Sequence, residues 1–264
     1  MQLYAGTSGF SYPKWKGGFY PKDAKTDALL HHYALRLPSV EINNTFYRMP
    51  RENVVLGWKS QVPADFRFSM KASRRITHYA KLKDTEDSVQ YLLQALSPLG
   101  PSLGVVLFQL PPQFQKDVGI LKAFLSSMPE SPRIALEFRH HSWFDDEVYG
   151  LLADAKAALV GGDGDDSLPA LVPTTDFGYL RLRADAYDDA ALSSWNARLA
   201  SSGWRHAFVY FKHEELGPLL AEQLIQLGGG AAAPAISQVA GNKPKRPGLK
   251  KTAPKPAKSK RKAR

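Results

Sequence analysis

The chain has 264 residues, no cysteine and a formal net charge of +10. Without thiols there are no disulfides, thiolate zinc sites or cysteine nucleophiles, which fits a reducing cytoplasmic setting. From Gly228 onward the sequence carries eleven of the 35 Lys and Arg and none of the 25 Asp and Glu, so 1–227 holds 24 basic against 25 acidic groups, a net of −1, and a basic DNA-binding fold is excluded there.

In chain order, MQLYAGTSGF lacks a basic n-region and a long apolar core, so it does not read as a signal peptide. It supplies the first apolar run, LYAGTS (3–8). A helical stripe of Ala28, Leu29, His32, Tyr33 and Leu37 follows, then SVEINNTF (39–46), and a second stripe at Val54, Val55, Trp58 and Val62. FRFSMKA (66–72) precedes the stripe Val89, Leu92, Leu93 and Leu96, and LGVVLFQL (103–110) precedes Leu121, Phe124, Leu125 and Met128. Next come RIALEFR (133–139), a stripe at Val148, Leu151 and Leu152, and AALVGGD (157–163). The stretch 164–178 shows no helical pattern; GGDGDD (161–166) lacks the spacing of a calcium loop and reads as a strand-end turn. YLRLRA (179–184), the stripe Leu192, Trp195 and Leu199, AFVYFKH (207–213) and the stripe Leu219, Leu220, Leu224 and Leu227 complete the pattern. Eight strands alternating with helices predict an α/β fold of the (β/α)8 TIM-barrel type, one domain over 1–227. A doubly wound sheet ranks lower, because no Gly-x-Gly-x-x-Gly follows the first strand. The Lys, Pro and Ala-rich 228–264 has too little apolar surface to offset ordering and reads as a disordered basic tail. No run is long enough to span a membrane.

Alternation along the strands places functional candidates. With Val40 and Ile42 turned toward the helices, Glu41 and Asn43 face the lumen. The same phase turns Lys71, Gln109, Glu137, Arg139, Tyr179, Arg181 and Arg183 inward, and the sixth strand ends in Asp163. These polar residues cluster at the C-terminal strand ends, where barrel active sites are built. A charge at one strand end is usually a solvated terminus; the same phase on several strands points to a shared site, with a purely structural ion network as the plainer account.

Five motifs in order, GTSGFSYPKWKGGFYP (6–21), VEINNTFYRMP (40–50), FSMKASRRITH (68–78), LFQLPPQF (107–114) and EFRHHSW (137–143), resemble the TIM-barrel family known as domain of unknown function 72, the YecE-like family. The resemblance covers about 1–227, implies a (β/α)8 barrel and carries no reaction with it. Its motifs coincide with Glu41, Asn43, Lys71, His78, Gln109, Glu137, Arg139, His140 and Trp143. Where the family often shows Arg-x-His-Gly after strand seven, this chain has Arg181, Arg183 and Ala184.

The residue types predict an enzyme of hydrolase or isomerase type working by acid/base chemistry. Glu41, Lys71, Glu137 and His78 are the catalytic candidates, the two carboxylates as an acid and base pair. The arginine cluster favours a small phosphorylated or carboxylated ligand, sugar- or nucleotide-like. Asn43, Gln109, Arg139, Trp143, Asp163, Arg181, Arg183 and Trp15 are the binding candidates, the two tryptophans by ring contact. No cofactor or metal is expected: there is no His-x-His or His-Glu-x-x-His, and the arginines oppose a cation set of Glu41, Glu137, Asp163 and a histidine. The alternative is a non-catalytic binding protein that meets nucleic acid through the basic stretch 242–264, by phosphate neutralisation without base readout.

Overall fold

The computed structural model describes residues 1–163 and 171–229. Eight parallel strands close into a barrel in sequence order. They are β1 (Gln2–Ser8), β2 (Ser39–Ile42), β3 (Arg67–Lys71), β4 (Leu103–Gln109), β5 (Arg133–Glu137), β6 (Ala158–Gly162), β7 (Phe177–Leu182) and β8 (His206–Phe211), with β8 pairing back on β1 from Gln2↔His206 to Thr7↔Phe211. Helices α1 (Leu29–Ala34), α2 (Glu52–Lys59), α3 (Glu86–Leu96), α4 (Val118–Ser126), α5 (Asp146–Asp154), α6 (Asp189–Ala200) and α7 (Gly217–Leu227) are built from the seven expected stripes. Asp117, Asp145 and Asp188 cap α4, α5 and α6 by accepting from Ile120, Val148 and Ala191 N–H; each such cap contributes about 1 kcal/mol. Part of the turn read at 161–166 and nearly all of the tail read at 228–264 lie outside the described residues.

The strand alternation separates two cores. Val40, Ile42, Phe68, Met70, Leu136, Phe138, Leu180 and Leu182 pack outward against the helices. Val105, Leu107, Ala135, Val160, Phe177, Tyr179, Phe208 and Tyr210 fill the lumen, with Tyr4 beneath. Burying each such large side chain stabilises by about 1.5–3 kcal/mol. Backbones approach closely at two glycines: a Cβ on Gly6 would lie 1.9 Å from the Ser39 carbonyl oxygen, and one on Gly178 would lie 2.1 Å from the Trp204 ring.

Two elements near the mouth differ from the sequence reading. The second strand ends at Ile42, and Asn44–Phe46 turns into a 3-10 helix. Backbone bonds from Phe46 to Asn43 and from Tyr47 to Asn44 close the turn, and the Thr45 hydroxyl donates to the carbonyls of Ile42 at 3.3 Å and Lys71 at 2.7 Å, tying the end of β2 to the end of β3. Residues Arg75–Tyr79, where the sequence shows no helical stripe, form a π-helical turn that carries His78.

Candidate functional site

The site is layered from the middle of the lumen upward. Tyr210 lies fully buried with its hydroxyl 2.7 Å from Ser69 Oγ and 2.6 Å from Ser39 Oγ, a polar floor satisfied internally. Above it, Glu41 on β2 and Glu137 at the end of β5 are both completely buried. Arg181 on β7 joins them. Its Nη2 donates to Glu41 Oε1 and its Nη1 to Glu137 Oε2, each at 2.8 Å.

Every carboxylate oxygen is used. Glu41 Oε1 also accepts from Ser8 Oγ at 2.8 Å and Asn43 Nδ2 at 2.9 Å, and its Oε2 accepts from the Tyr179 hydroxyl at 2.8 Å. Glu137 Oε1 accepts from Arg183 Nη2 at 2.7 Å and Arg139 Nε at 3.2 Å, and its Oε2 from Gln109 Nε2 at 2.7 Å. Gln109 is thereby oriented: its amide nitrogen faces Glu137, and its oxygen accepts from Lys71 Nζ at 2.8 Å. Lys71 Nζ also lies 4.2 Å from the centre of the Phe46 ring.

Burial alone would raise the Glu41 carboxyl, but Arg181 and the donors Asn43, Tyr179 and Ser8 outweigh it and hold it below the usual carboxylate range. At Glu137 burial is likewise overcome, by Arg181, Arg183 and Arg139, and the group is held far down. Burial pushes the Tyr179 hydroxyl well up, and Glu41 adds to this, so it stays a protonated donor. Lys71 moves the other way: burial and then Arg181 bring its amine down to about 8, against the pull of Glu41 and Glu137. Burial, followed by Lys71 and Arg139, lowers His78. Lys212, just beyond β8, is lowered by burial and then by Arg183, Arg181 and Arg139.

A family model described as "Protein of unknown function DUF72" matches residues 4–245. The chain belongs to the DUF72 family. Its match ends inside the stretch that composition sets apart. Among curated relatives, the UPF0759 protein YecE of Escherichia coli K12 is 35% identical over 144 residues, 54% of this chain and 50% of the relative, so the chain spans about half of YecE's length in that match. The UPF0759 protein YunF of Bacillus subtilis is 30% identical over 230 residues, 81% of this chain and 79% of the relative. A DUF72 crystal structure from Thermotoga maritima superposes with a TM-score of 0.75 at 26% identity, covering 86% of this chain and 99% of that one. One from Enterococcus faecalis, at 19% identity and a TM-score of 0.71 over 87% and 98% of the two chains, shares the fold.

The DUF72 barrel brings Glu41, Asn43, Lys71, Gln109, Glu137, Arg139, Arg181 and Arg183 into one contiguous network, with His78 beside it through Lys71 and the Phe46 ring, 4.8 Å away. Three candidates stand elsewhere. Asp163 clamps the chain after β7: Oδ1 accepts from Arg183 N, Ala184 N and the Tyr187 hydroxyl, and Oδ2 from Trp195 Nε1. Trp15 is 3% exposed with Nε1 bonded to the Glu214 carbonyl, and Trp143 is fully buried, stacked on Phe138 and bonded to the Phe114 carbonyl. Both rings pack beneath the loops. Both carboxyls of the expected acid and base pair are held below the usual carboxylate range, with arginines the first groups to lower them. Ser8 and Lys212 are the partners that sequence reasoning passed over, while Tyr179, expected to face inward, joins the network through Glu41. Ser8 lies in phase with Tyr4, and Lys212 in phase with Phe208 and Tyr210, so the same alternation would have found both.

A concavity of about 800 Å³ at the opposite end of the barrel, lined by Met128, Arg133, Phe177 and Arg205 among others, contains none of this network. Among the described residues no three His, Asp or Glu side chains are grouped to hold a metal ion.

Proposed function

We propose that the mouth of the barrel binds a small phosphorylated or carboxylated ligand and turns it over by acid/base chemistry centred on Lys71. One observation carries this reading: the oxygens of Glu41 and Glu137 are already taken by other donors, so that Lys71, beside Arg181 and near Lys212, has no carboxylate bonded to its amine among the described residues. A compact anion is the complement of such an amine, and guanidinium groups held by carboxylates are preorganised beside it. Glu41 and Glu137 then act as anchors that aim the arginines. Proton transfer falls to Lys71, whose amine changes charge near pH 8.

Titration calorimetry with pyrophosphate, citrate and a neutral sugar tests it. Both anions should bind and the sugar should not; Arg139→Ala and Lys212→Ala should each weaken the anions by about tenfold, roughly 1.4 kcal/mol. Equal binding of the neutral compound, or anion affinity unchanged in both variants, removes the proposal.

A second reading concerns the basic stretch 242–264. Its Lys and Arg without any acidic residue favour non-specific association with nucleic-acid phosphates, independent of the barrel.

A further inference from the structure

Lys71 is placed unlike the other cations of the mouth. Glu41 and Glu137 both act on it electrostatically, yet among the described residues the only hydrogen bond of its amine is to the neutral Gln109 amide. The carboxylate oxygens are taken by Ser8, Asn43, Tyr179, Gln109 and three arginines, so the amine has no direct counter-ion among the described residues. The orientation of Gln109 is forced by its bond to Glu137, which aims the amide oxygen at Nζ. One N–H of the amine is thereby pinned, and the Phe46 face covers another side at 4.2 Å. A lysine desolvated, deprived of an ion pair and held in one orientation beside other cations is arranged as a nucleophile rather than as a point charge. Its amine, brought down to about 8, is neutral in a far larger fraction of molecules at pH 7 than that of an exposed lysine.

We infer that Lys71 condenses with the carbonyl carbon of a phosphorylated or carboxylated aldehyde or ketone, forming an imine at the mouth of the barrel. The inference rests on the anion-binding reading of the same site and narrows its substrate class to carbonyl compounds. In the step, the Nζ lone pair forms the C–N bond while the carbonyl π pair moves to oxygen. The two amine hydrogens leave with that oxygen as water, and a C=N bond remains. Arg139, Arg183 and Lys212 hold the anionic end, as they do in the proposal above.

The test uses the full chain with glycolaldehyde phosphate or glyoxylate plus cyanoborohydride, which reduces an imine to a stable secondary amine, followed by peptide mass mapping. The Lys71 peptide should gain the mass of the probe less one oxygen. It should do so at least about tenfold faster than the exposed Lys22 and Lys122, given its lower proton affinity. Pyrophosphate should slow labelling at Lys71 alone, and Lys71→Met should abolish the fast phase. Because the comparison is made between lysines of one unaltered protein, it holds even if the variant fails to fold. Labelling of Lys71 no faster than of Lys22, in protein that still binds pyrophosphate by calorimetry, overturns the imine and leaves the anion site standing. Labelling as fast with uncharged glycolaldehyde as with its phosphate overturns the anionic substrate class. Absence of both fast labelling and pyrophosphate binding overturns both readings together.

Discussion

Arg181 holds two fully buried carboxylates at once, so removing either leaves a guanidinium with half its compensation. Glu137→Gln is therefore expected to cost about 3–5 kcal/mol of stability, read as a shift in the urea midpoint, because Arg139, Arg181 and Arg183 all lose a charged acceptor. Lys71 gives a pH signature of the opposite kind. Its folded value of about 8 lies below its ordinary 10.5, so between the two the unfolded chain holds the extra proton and native stability rises with pH. Urea unfolding of the native protein and of Lys71→Met across pH 7–11 should show the native protein gaining on the variant through that window; parallel curves would deny the depressed amine. The residues of this network were legible from phase alone: Glu41, Glu137 and Arg181 each sit one position from a large outward apolar residue, Val40, Leu136 and Leu180. Their partners were not, since pairing depends on which strands become neighbours across the lumen. The partners of Asp163 were not legible either, because its oxygens are claimed by residues 183–195, whose path no local pattern fixes. The depth of Trp15 and Trp143 was not legible, because a hydrophobic ring in a loop carries no mark of how deeply it will be covered.

At the scale of elements, the strand register depends on places where no side chain fits. Gly178 in β7 faces the Trp204 ring, which a Cβ would meet at 2.1 Å. Gly178→Ala is expected to destabilise by about 1–3 kcal/mol through overpacking, visible as a lowered thermal midpoint. An unchanged midpoint would mean that Trp204 repacks at little cost. The eight strands and seven helical stripes were readable because parallel strands buried on both faces give dense apolar runs, and amphipathic helices repeat at their own period. The early end of β2 escaped that reading. Phe46 continues the β-prone composition, but the chain turns there through backbone bonds from Phe46 to Asn43 and from Tyr47 to Asn44, and the Thr45 hydroxyl reaches the Lys71 carbonyl. That bend places Phe46 over Lys71.

For the whole molecule, charge and fold are divided along the chain, with 1–227 at −1 and the surplus from Gly228 onward. Deleting 230–264 is expected to leave the thermal midpoint and pyrophosphate binding unchanged, while DNA retention in a mobility-shift assay disappears and, in the full chain, falls steeply with salt. DNA retention by the truncated barrel would shift the nucleic-acid reading onto the fold. Among the described residues no helix is long and apolar enough to cross a membrane. The Thermotoga maritima superposition agrees with the barrel that alternation predicts. The tie that Arg181 makes between β2 and β5 has one more effect. A cross-brace fastened at both ends stiffens the base of the bowl, so on the proposed anion-binding reading a guest would not mould it on arrival. Discrimination between guests of different size would then be left to the lip, where loop path can vary without loosening the frame.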